Sequence, residues 1–289
     1  MIRVAIVGTG SIAHAHMDAY LKLADRAKVV ALVDIVPGKA KSFMEEFNIE
    51  CDVYENHEDI LDRNDIDLVD VCTPPYVHAS ISINCLKAGM NVVCEKPMAA
   101  SLEECDAMLK VRNESGKKLS IIAQNRFRKP IRDLKMLLDS GLAGEEDATV
   151  QSARIANYDH PDYPELEDFG DCTITGKNGT TNYFRVDWFN PDGLRTWGDG
   201  RTFILGTEGY IEIRKYINVG TDKVDGNHVF LVNGKGEKYV NATGVTGYPF
   251  FGQLILDCLN RTENAMTQAH AFKAAELCLQ AQLQAQRLK

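Results

Sequence analysis

The segment Gly8-Thr9-Gly10-Ser11-Ile12-Ala13 constrains this chain more than any other. It follows a short apolar run, IRVAIV at residues 2–7. From its last residue, Ala13, apolar positions recur at helical spacing at Met17, Tyr20 and Leu21. Strand, glycine turn and helix in that order read as G-x-G-x-x-A, the start of a dinucleotide-binding unit. The first glycine permits a tight turn, and the second lets the backbone approach a pyrophosphate. Alanine at the third position still allows the helix to pack on the strand. The anion would rest on the unpaired N–H groups of the helix N-terminus. Gly8, Thr9, Gly10, Ser11 and Ile12 are therefore the first candidate nucleotide-binding residues.

The pattern continues for about 120 residues. Residues 29–33 (VVALV), 68–72 (LVDVC), 91–94 (NVVC) and 119–123 are apolar throughout. Amphipathic stretches separate them: one opened by Pro37, one carrying Val77, Ile81 and Cys85, and one started by the Ser101–Glu104 capping box. Strands apolar on both faces and alternating with helices predict a doubly wound parallel sheet. In such sheets ligands bind at the carboxyl ends of the strands. Composition shifts after residue 122. A helix is expected over residues 130–140. Between residues 148 and 240, Thr, Tyr, Phe and Val dominate, with turn signals at Lys177-Asn178-Gly179, Asn190-Pro191-Asp192-Gly193 and Asn233-Gly234-Lys235-Gly236. That predicts a mainly antiparallel sheet. From Phe250 onward the chain returns to helix, with Ala274, Leu277, Cys278 and Ala281 as its stripe. The expected fold is α/β: residues 1–122 form a Rossmann domain, and residues 123–289 form a second α/β domain whose last helix can pack back on the first.

Three strand ends carry candidate chemistry. Asp34 closes the second strand, about twenty residues beyond the glycine turn, where a carboxylate can accept hydrogen bonds from the adenosine ribose. It would repel a 2′-phosphate, which favours NAD over NADP, although Lys39 and Lys41 lie nearby. Thr73 and Pro74, in CTPP, turn sharply over the sheet edge and could reach the cofactor. Glu95-Lys96-Pro97 follows NVVC directly. A lysine between an apolar strand and a proline can be partly desolvated and drawn toward proton transfer, and its charge could stabilise an alkoxide. The plainer reading of Glu95 and Lys96 is a surface ion pair, and His78 reads as a packing or capping residue.

Other classes are less well supplied. Hydrophobic residues make up 45% and charged residues 25%, which excludes a disordered chain. Lys and Arg total 32 against 41 Asp and Glu, a formal net charge of −9, with no basic block to grip nucleic acid or anionic membrane. The opening residues run straight into a strand without signal-peptide architecture, so a cytoplasmic location is expected. The eight cysteines form no CxxC pair and read as buried free thiols. No metal site is expected.

Taken in order, GTGSIA with His16, VDIVPGKA, CTPPYVH, AGMNVVCEKPMA and QNRF resemble the glucose–fructose oxidoreductase/inositol dehydrogenase (MocA-like) family. The likeness runs from residue 1 to about 145 and resumes at FILGTEGYIEI, residues 203–213, and in the C-terminal helices. It implies a Rossmann domain and a second domain whose open sheet commonly serves as an oligomer interface. It implies hydride transfer between NAD(P) and a sugar or polyol hydroxyl. It assigns Lys96 as the catalytic lysine, places Glu95, Thr73 and Pro74 along the cofactor, and puts Arg126 near the substrate.

One element of that family is missing from the sequence. Its members usually carry a helix of the form G-G-x-x-x-D-x-G-x-H after the N-R-F segment, whose histidine exchanges the substrate proton. Here GLAGE at residues 141–145 leads almost directly to EDATVQSARIAN, and His160 sits in a strand-to-turn stretch. Weak turnover is therefore expected. The alternative is a non-catalytic dinucleotide-binding sensor or assembly subunit. Trp188 and Trp197 flank a charged loop that reads either as a solvated hairpin packed by its tryptophans or as a polar contact for a sugar or a subunit.

Overall fold

Each apolar run of the first half becomes a strand because a helix covers it on either side. The computed structural model describes residues 1–122, 148–196, 198–220, 226–243, 250–265 and 267–288. In it β1 (Ile2–Val7), β2 (Ala27–Val33), β3 (Asp52–Tyr54), β4 (Leu68–Val71), β5 (Asn91–Cys94) and β6 (Leu119–Ile121) form one sheet in the order β3-β2-β1-β4-β5-β6. Every pairing in it is parallel. All residues of β4 and β5 are buried, as strands covered on both faces require. The helices between them are α1 (Ser11–Leu21), α2 (Lys39–Glu46), α3 (His78–Lys87) and α4 (Leu102–Ser115). β3 is the short edge strand that hydrophobic patterning does not reveal, because Asp52 and Val53 are both exposed. The helix expected from Pro37 starts two residues later, after Gly38 in the left-handed conformation. The capping box of α4 forms with a variation. Ser101 Oγ accepts from Glu104 N at 3.2 Å, while Glu104 Oε2 accepts from the N–H of Ala100, one residue before the cap, at 2.9 Å.

The chain divides into two compact units. One is Met1–Ala123 with Phe250–Gln280, and the other is Gln124–Pro249 with Ala281–Lys289. The first thus takes in α5 (Phe250–Asn260) and most of α6 (Gln268–Gln284). The stripe of α6 differs from the expected one. Ala271, Phe272, Ala275 and Leu279 pack on the core, whereas Ala274 and Cys278 are exposed. Both faces of this alanine-rich helix satisfy a period of 3.6, so periodicity alone could not choose between them.

The second unit contains two four-stranded sheets among the described residues. In one, β7 (Thr149–Ala156), β8 (Phe169–Thr175) and β9 (Thr181–Asp187) pair antiparallel, and β14 (Gln286–Arg287) joins β7 in parallel. In the other, β10 (Gly200–Gly206), β11 (Gly209–Lys215), β12 (His228–Asn233) and β13 (Gly236–Asn241) form an antiparallel meander. Two of the expected turns are hairpin connections, one in each sheet: Gly179 between β8 and β9 and Gly236 between β12 and β13 both have positive φ. The helix expected over residues 130–140 lies outside the described residues. All eight cysteines are free; six are buried, Cys51 is half-buried and Cys278 is exposed.

Candidate functional site

The site is built at the carboxyl ends of β1, β2, β4 and β5. Gly8 leaves β1 with φ of 92°, and a Cβ there would lie 2.7 Å from the Cys72 carbonyl oxygen on β4's exit. Only glycine fits that conformation against a backbone neighbour. Gly8→Ala is therefore expected to destabilise the first unit by about 1–3 kcal/mol, read as a lowered denaturation midpoint with unchanged slope. Gly10 differs. It is the N-cap of α1 with no side-chain capping bond, and a Cβ on it would meet nothing within 4 Å. The first N–H groups of α1 thus face open space beside Ser11 and Ile12, which are exposed, while Ala13 is fully buried against the sheet.

Thr9 and Asp34 join this turn to the end of β2. Asp34 Oδ2 accepts from Thr9 N at 2.9 Å and from Thr9 Oγ1 at 2.8 Å, and Oδ1 accepts from Val36 N at 3.0 Å. Lys39 Nζ lies 3.1 Å from Oδ2. Burial alone would raise the Asp34 carboxyl, but the Thr9, Val36 and Lys39 bonds outweigh it and hold it below the ordinary carboxylate range. Sequence reading gave Thr9 a place in the nucleotide turn but no bond to Asp34. Its hydroxyl is a second staple on Asp34, a contact between residues far apart in sequence.

At the end of β4 the Thr73 hydroxyl is buried and finds no partner among the described residues. Its methyl group lies 3.1 Å from where a Gly8 Cβ would stand. Pro74 is exposed and leads into a short 3₁₀ turn at Pro75–Val77. His78 is wholly buried, with Nδ1 2.8 Å from the Pro97 carbonyl oxygen and Nε2 2.7 Å from that of Thr73. It bridges the exits of β4 and β5, as a packing residue would.

Glu95 and Lys96 leave β5 in opposite directions. Glu95 is buried, its Oε2 accepting from Lys96 N at 2.9 Å and its Oε1 3.0 Å from His16 Nε2. His16, from α1, places Nδ1 2.9 Å from Asp70 Oδ2, which also accepts from Tyr20 Oη at 2.9 Å. Burial would lower the imidazole, yet Asp70, Cys72 and Glu95 together raise it far above its ordinary value. Burial would raise Glu95, yet His16 and Lys96 hold it down. Lys96 is exposed, and the peptide to Pro97 is cis. The desolvation expected from its apolar flanks does not occur, because the lysine points out of the sheet edge while the glutamate before it points in. His16, Asp70 and Tyr20 were not read as site residues; the only signal was a histidine and a tyrosine four apart on one face of α1, with an acid inside a buried strand. His16, Asp70 and Cys72 present donor atoms within 4.8 Å of one another. Each is committed to its neighbours by hydrogen bonds, and burial pushes the Cys72 thiol up to about 12, which disfavours the thiolate a metal would need.

In the second unit His160 has a partner that its sequence neighbourhood hides. Its Nδ1 is 3.0 Å from Oδ2 of the fully buried Asp168, which also accepts from the N–H groups of Tyr158 and Asp159. Trp188 is exposed rather than packed under its sheet. Arg126 and Trp197 lie outside the described residues.

The open N-terminus of α1, the Gly10 space and the unpartnered Thr73 hydroxyl fit a dinucleotide. With the strand order β3-β2-β1-β4-β5-β6 they define a dinucleotide-binding Rossmann domain. Residues 2–123 match the family described as oxidoreductases with an NAD-binding Rossmann fold, GFO_IDH_MocA. A candidate oxidoreductase of solved structure from Erwinia carotovora atroseptica is 31% identical, with a TM-score of 0.90, over 100% of both chains. The chain belongs to the GFO_IDH_MocA family. It is 29% identical over 145 residues to an inositol 2-dehydrogenase of Salmonella typhimurium, a match covering 50% of this chain and 43% of that one. It is 33% identical over 141 residues to a 2,7-anhydro-N-acetylneuraminate hydratase of Mediterraneibacter gnavus, covering 49% of this chain and 36% of the relative. These matches thus span less than half the length of the curated relatives. A 3-ketoreductase from Actinomadura kijaniata, solved with NADP, shares the fold at a TM-score of 0.79 and 16% identity, over 99% and 98% of the two chains. No helix among the described residues is long and apolar enough to cross a membrane.

Proposed function

We propose that this chain transfers a hydride between NAD(P) and a sugar or polyol hydroxyl. The observation that carries this reading is an exposed lysine, Lys96, leaving a strand exit whose backbone is fixed by the buried Glu95 carboxylate. It stands one strand from the exit bearing Thr73 and two from the glycine turn. The bound nucleotide supplies the hydride acceptor or donor. Gly8, Thr9, Gly10, Ser11 and Ile12 cradle its pyrophosphate, the Thr73 hydroxyl gains a partner, and Pro74 and Glu95 border it. The Lys96 ammonium stabilises negative charge on the substrate oxygen and exchanges its proton. Arg126 belongs to the substrate side. Spectrophotometric turnover with a panel of polyols and aldoses tests the reading. Nucleotide binding without turnover on any of them would favour the sensor or assembly-subunit reading, which the missing Asp/His helix supports.

NAD is the preferred nucleotide in this reading, since Asp34 sets a negative charge where a 2′-phosphate would come. Lys39, half-exposed and paired to that carboxylate, tempers the preference. Lys39→Ala is expected to weaken NADPH binding about tenfold while leaving NADH binding within about twofold, measured by nucleotide fluorescence. Equal effects on both would remove Lys39 from cofactor choice.

A second copy of the chain is the expected partner. Register places Phe203, Leu205, Tyr210, Phe230, Val232 and Tyr239 on one face of the β10–β13 sheet. Leu205 is 81% exposed and Phe203 60%, and the face also carries Arg201, Glu212, Arg214 and Glu237, a mixture of large apolar and charged side chains that suits a subunit contact. Leu205→Asp with Phe203→Asp is expected to turn an oligomer into monomers in sedimentation velocity; a wild-type monomer would end this proposal. The cytoplasm is the proposed location.

A further inference from the structure

We infer that His16 is the positioning residue of the Glu95–Lys96 pair, a buried cation that clamps Glu95 so that its second oxygen fixes the Lys96 backbone. This rests on the reading of Lys96 as the lysine of the hydride site.

Both ring nitrogens of His16 face carboxylate oxygens, Asp70 Oδ2 at 2.9 Å and Glu95 Oε1 at 3.0 Å. Carboxylates only accept, so the ring donates at both ends and is an imidazolium. Asp70 is fully buried, and His16 and Glu95 nearly so. A buried charge survives only when paired and hydrogen-bonded. Two carboxylates and one imidazolium therefore define a single arrangement, and every member is bonded within it. Tyr20 Oη closes the Asp70 end, and Phe251 of α5 meets the imidazole edge-on with ring centroids 4.9 Å apart. At the other end Glu95 uses both oxygens, one for His16 and one for the Lys96 N–H. The chain of contacts runs Tyr20–Asp70–His16–Glu95–Lys96, across α1, β4 and the exit of β5. An arrangement so costly in desolvation needs more than packing to explain it, because well-packed apolar residues would hold α1 to the sheet as well or better. What apolar residues could not do is place one carboxylate oxygen on the Lys96 amide. The groups facing Glu95 are His16 from α1, Cys72 from the exit of β4, and Cys94 and Lys96 at the end of its own strand, with Asp70 on the far side of His16.

The test uses the whole chain labelled with 15N and with 13C in the glutamate carboxyl groups, the Glu95 signal being the one lost in Glu95→Gln. In His16→Gln the Glu95 carboxylate loses its facing cation, and its proton affinity is expected to rise about tenfold or more. The Lys96 amide should exchange its proton about tenfold faster, and kcat should fall about tenfold with nucleotide binding unchanged. Met17→Ala, at a fully buried neighbour on α1, measures general loosening and is expected to move neither the Glu95 titration nor the Lys96 amide specifically. Asp70→Asn keeps the shape and serves if His16→Gln does not fold, with the same signals moving. Unchanged Glu95 titration and Lys96 exchange in the folded variants would overturn the inference, as would a Met17→Ala response equal to theirs. Retained turnover in Lys96→Ala would overturn the function reading instead, and the two NMR readings would still decide whether His16 governs Glu95.

Discussion

Lys96→Ala is expected to lower polyol- or sugar-dependent reduction of the nucleotide by about 10²–10⁴ while leaving NADH binding within about threefold. Among the described residues the lysine side chain makes no bond that holds the sheet edge; the Lys96 backbone does that through Glu95 Oε2. Removing the ammonium therefore removes charge stabilisation and proton exchange without disturbing the glycine turn, α1 or Thr73. The loss should fall on kcat, because the lysine acts on charge that develops as the hydride moves rather than on the resting hydroxyl. Single-turnover kinetics would locate it in the chemical step. Equal turnover in the variant would leave the sheet edge with no assigned proton-handling group and would sink the enzymatic reading.

Asp70→Ala is expected to cost about 3–5 kcal/mol of stability, measured by denaturant titration. The loss has three parts. The buried His16 imidazolium keeps only Glu95, the Tyr20 hydroxyl loses its acceptor, and a cavity opens inside a strand buried on both faces. Tyr20→Phe, which removes only one of those bonds, should cost about 1–2 kcal/mol. The pH dependence carries the same network's signature. Glu95 is held below its ordinary value, so its contribution is present above the carboxylate range and is lost as pH falls through the folded value. His16 is held above its ordinary value, so its contribution is complete below about pH 6.5 and declines as pH rises from there toward the folded value. These two groups place the best stability between about pH 5 and 6.5, and in Asp70→Ala the alkaline decline should flatten. A wild-type thermal midpoint that climbs steadily through pH 8 would contradict the imidazolium.

The first unit was legible because its signals are local. A glycine turn between an apolar run and a helical period needs no distant partner to be recognised, and VVALV or NVVC can only be strands covered twice. The same locality explains what escaped. Asp34 reads as a ribose ligand from its place at the end of β2, but its bonds to Thr9 depend on how two strand ends meet. Lys96 between an apolar strand and a proline looks desolvated, yet the alternation of side chains along a strand sends Glu95 inward and Lys96 outward. His16 stood within the matching motifs without a role, since Asp70 and Glu95 reach it from far along the chain. In the second unit, His160 showed no neighbour in sequence to give it a task, and the hairpin after Ala156 brings Asp168 to it. The stripe of α6 was misplaced because alanine on every side leaves little difference between faces.

The His78 bridge has a mechanical consequence. One imidazole ties the carbonyl of Thr73 to that of Pro97, so the loop awaiting the nucleotide and the loop presenting the lysine share a rivet. Neither can tilt far without carrying the other. A ligand that tightens only the Thr73 side, such as the adenosine diphosphate half of the cofactor, would then quiet the lysine loop as well. Arrival of the nucleotide would set the aim of Lys96 before any substrate comes.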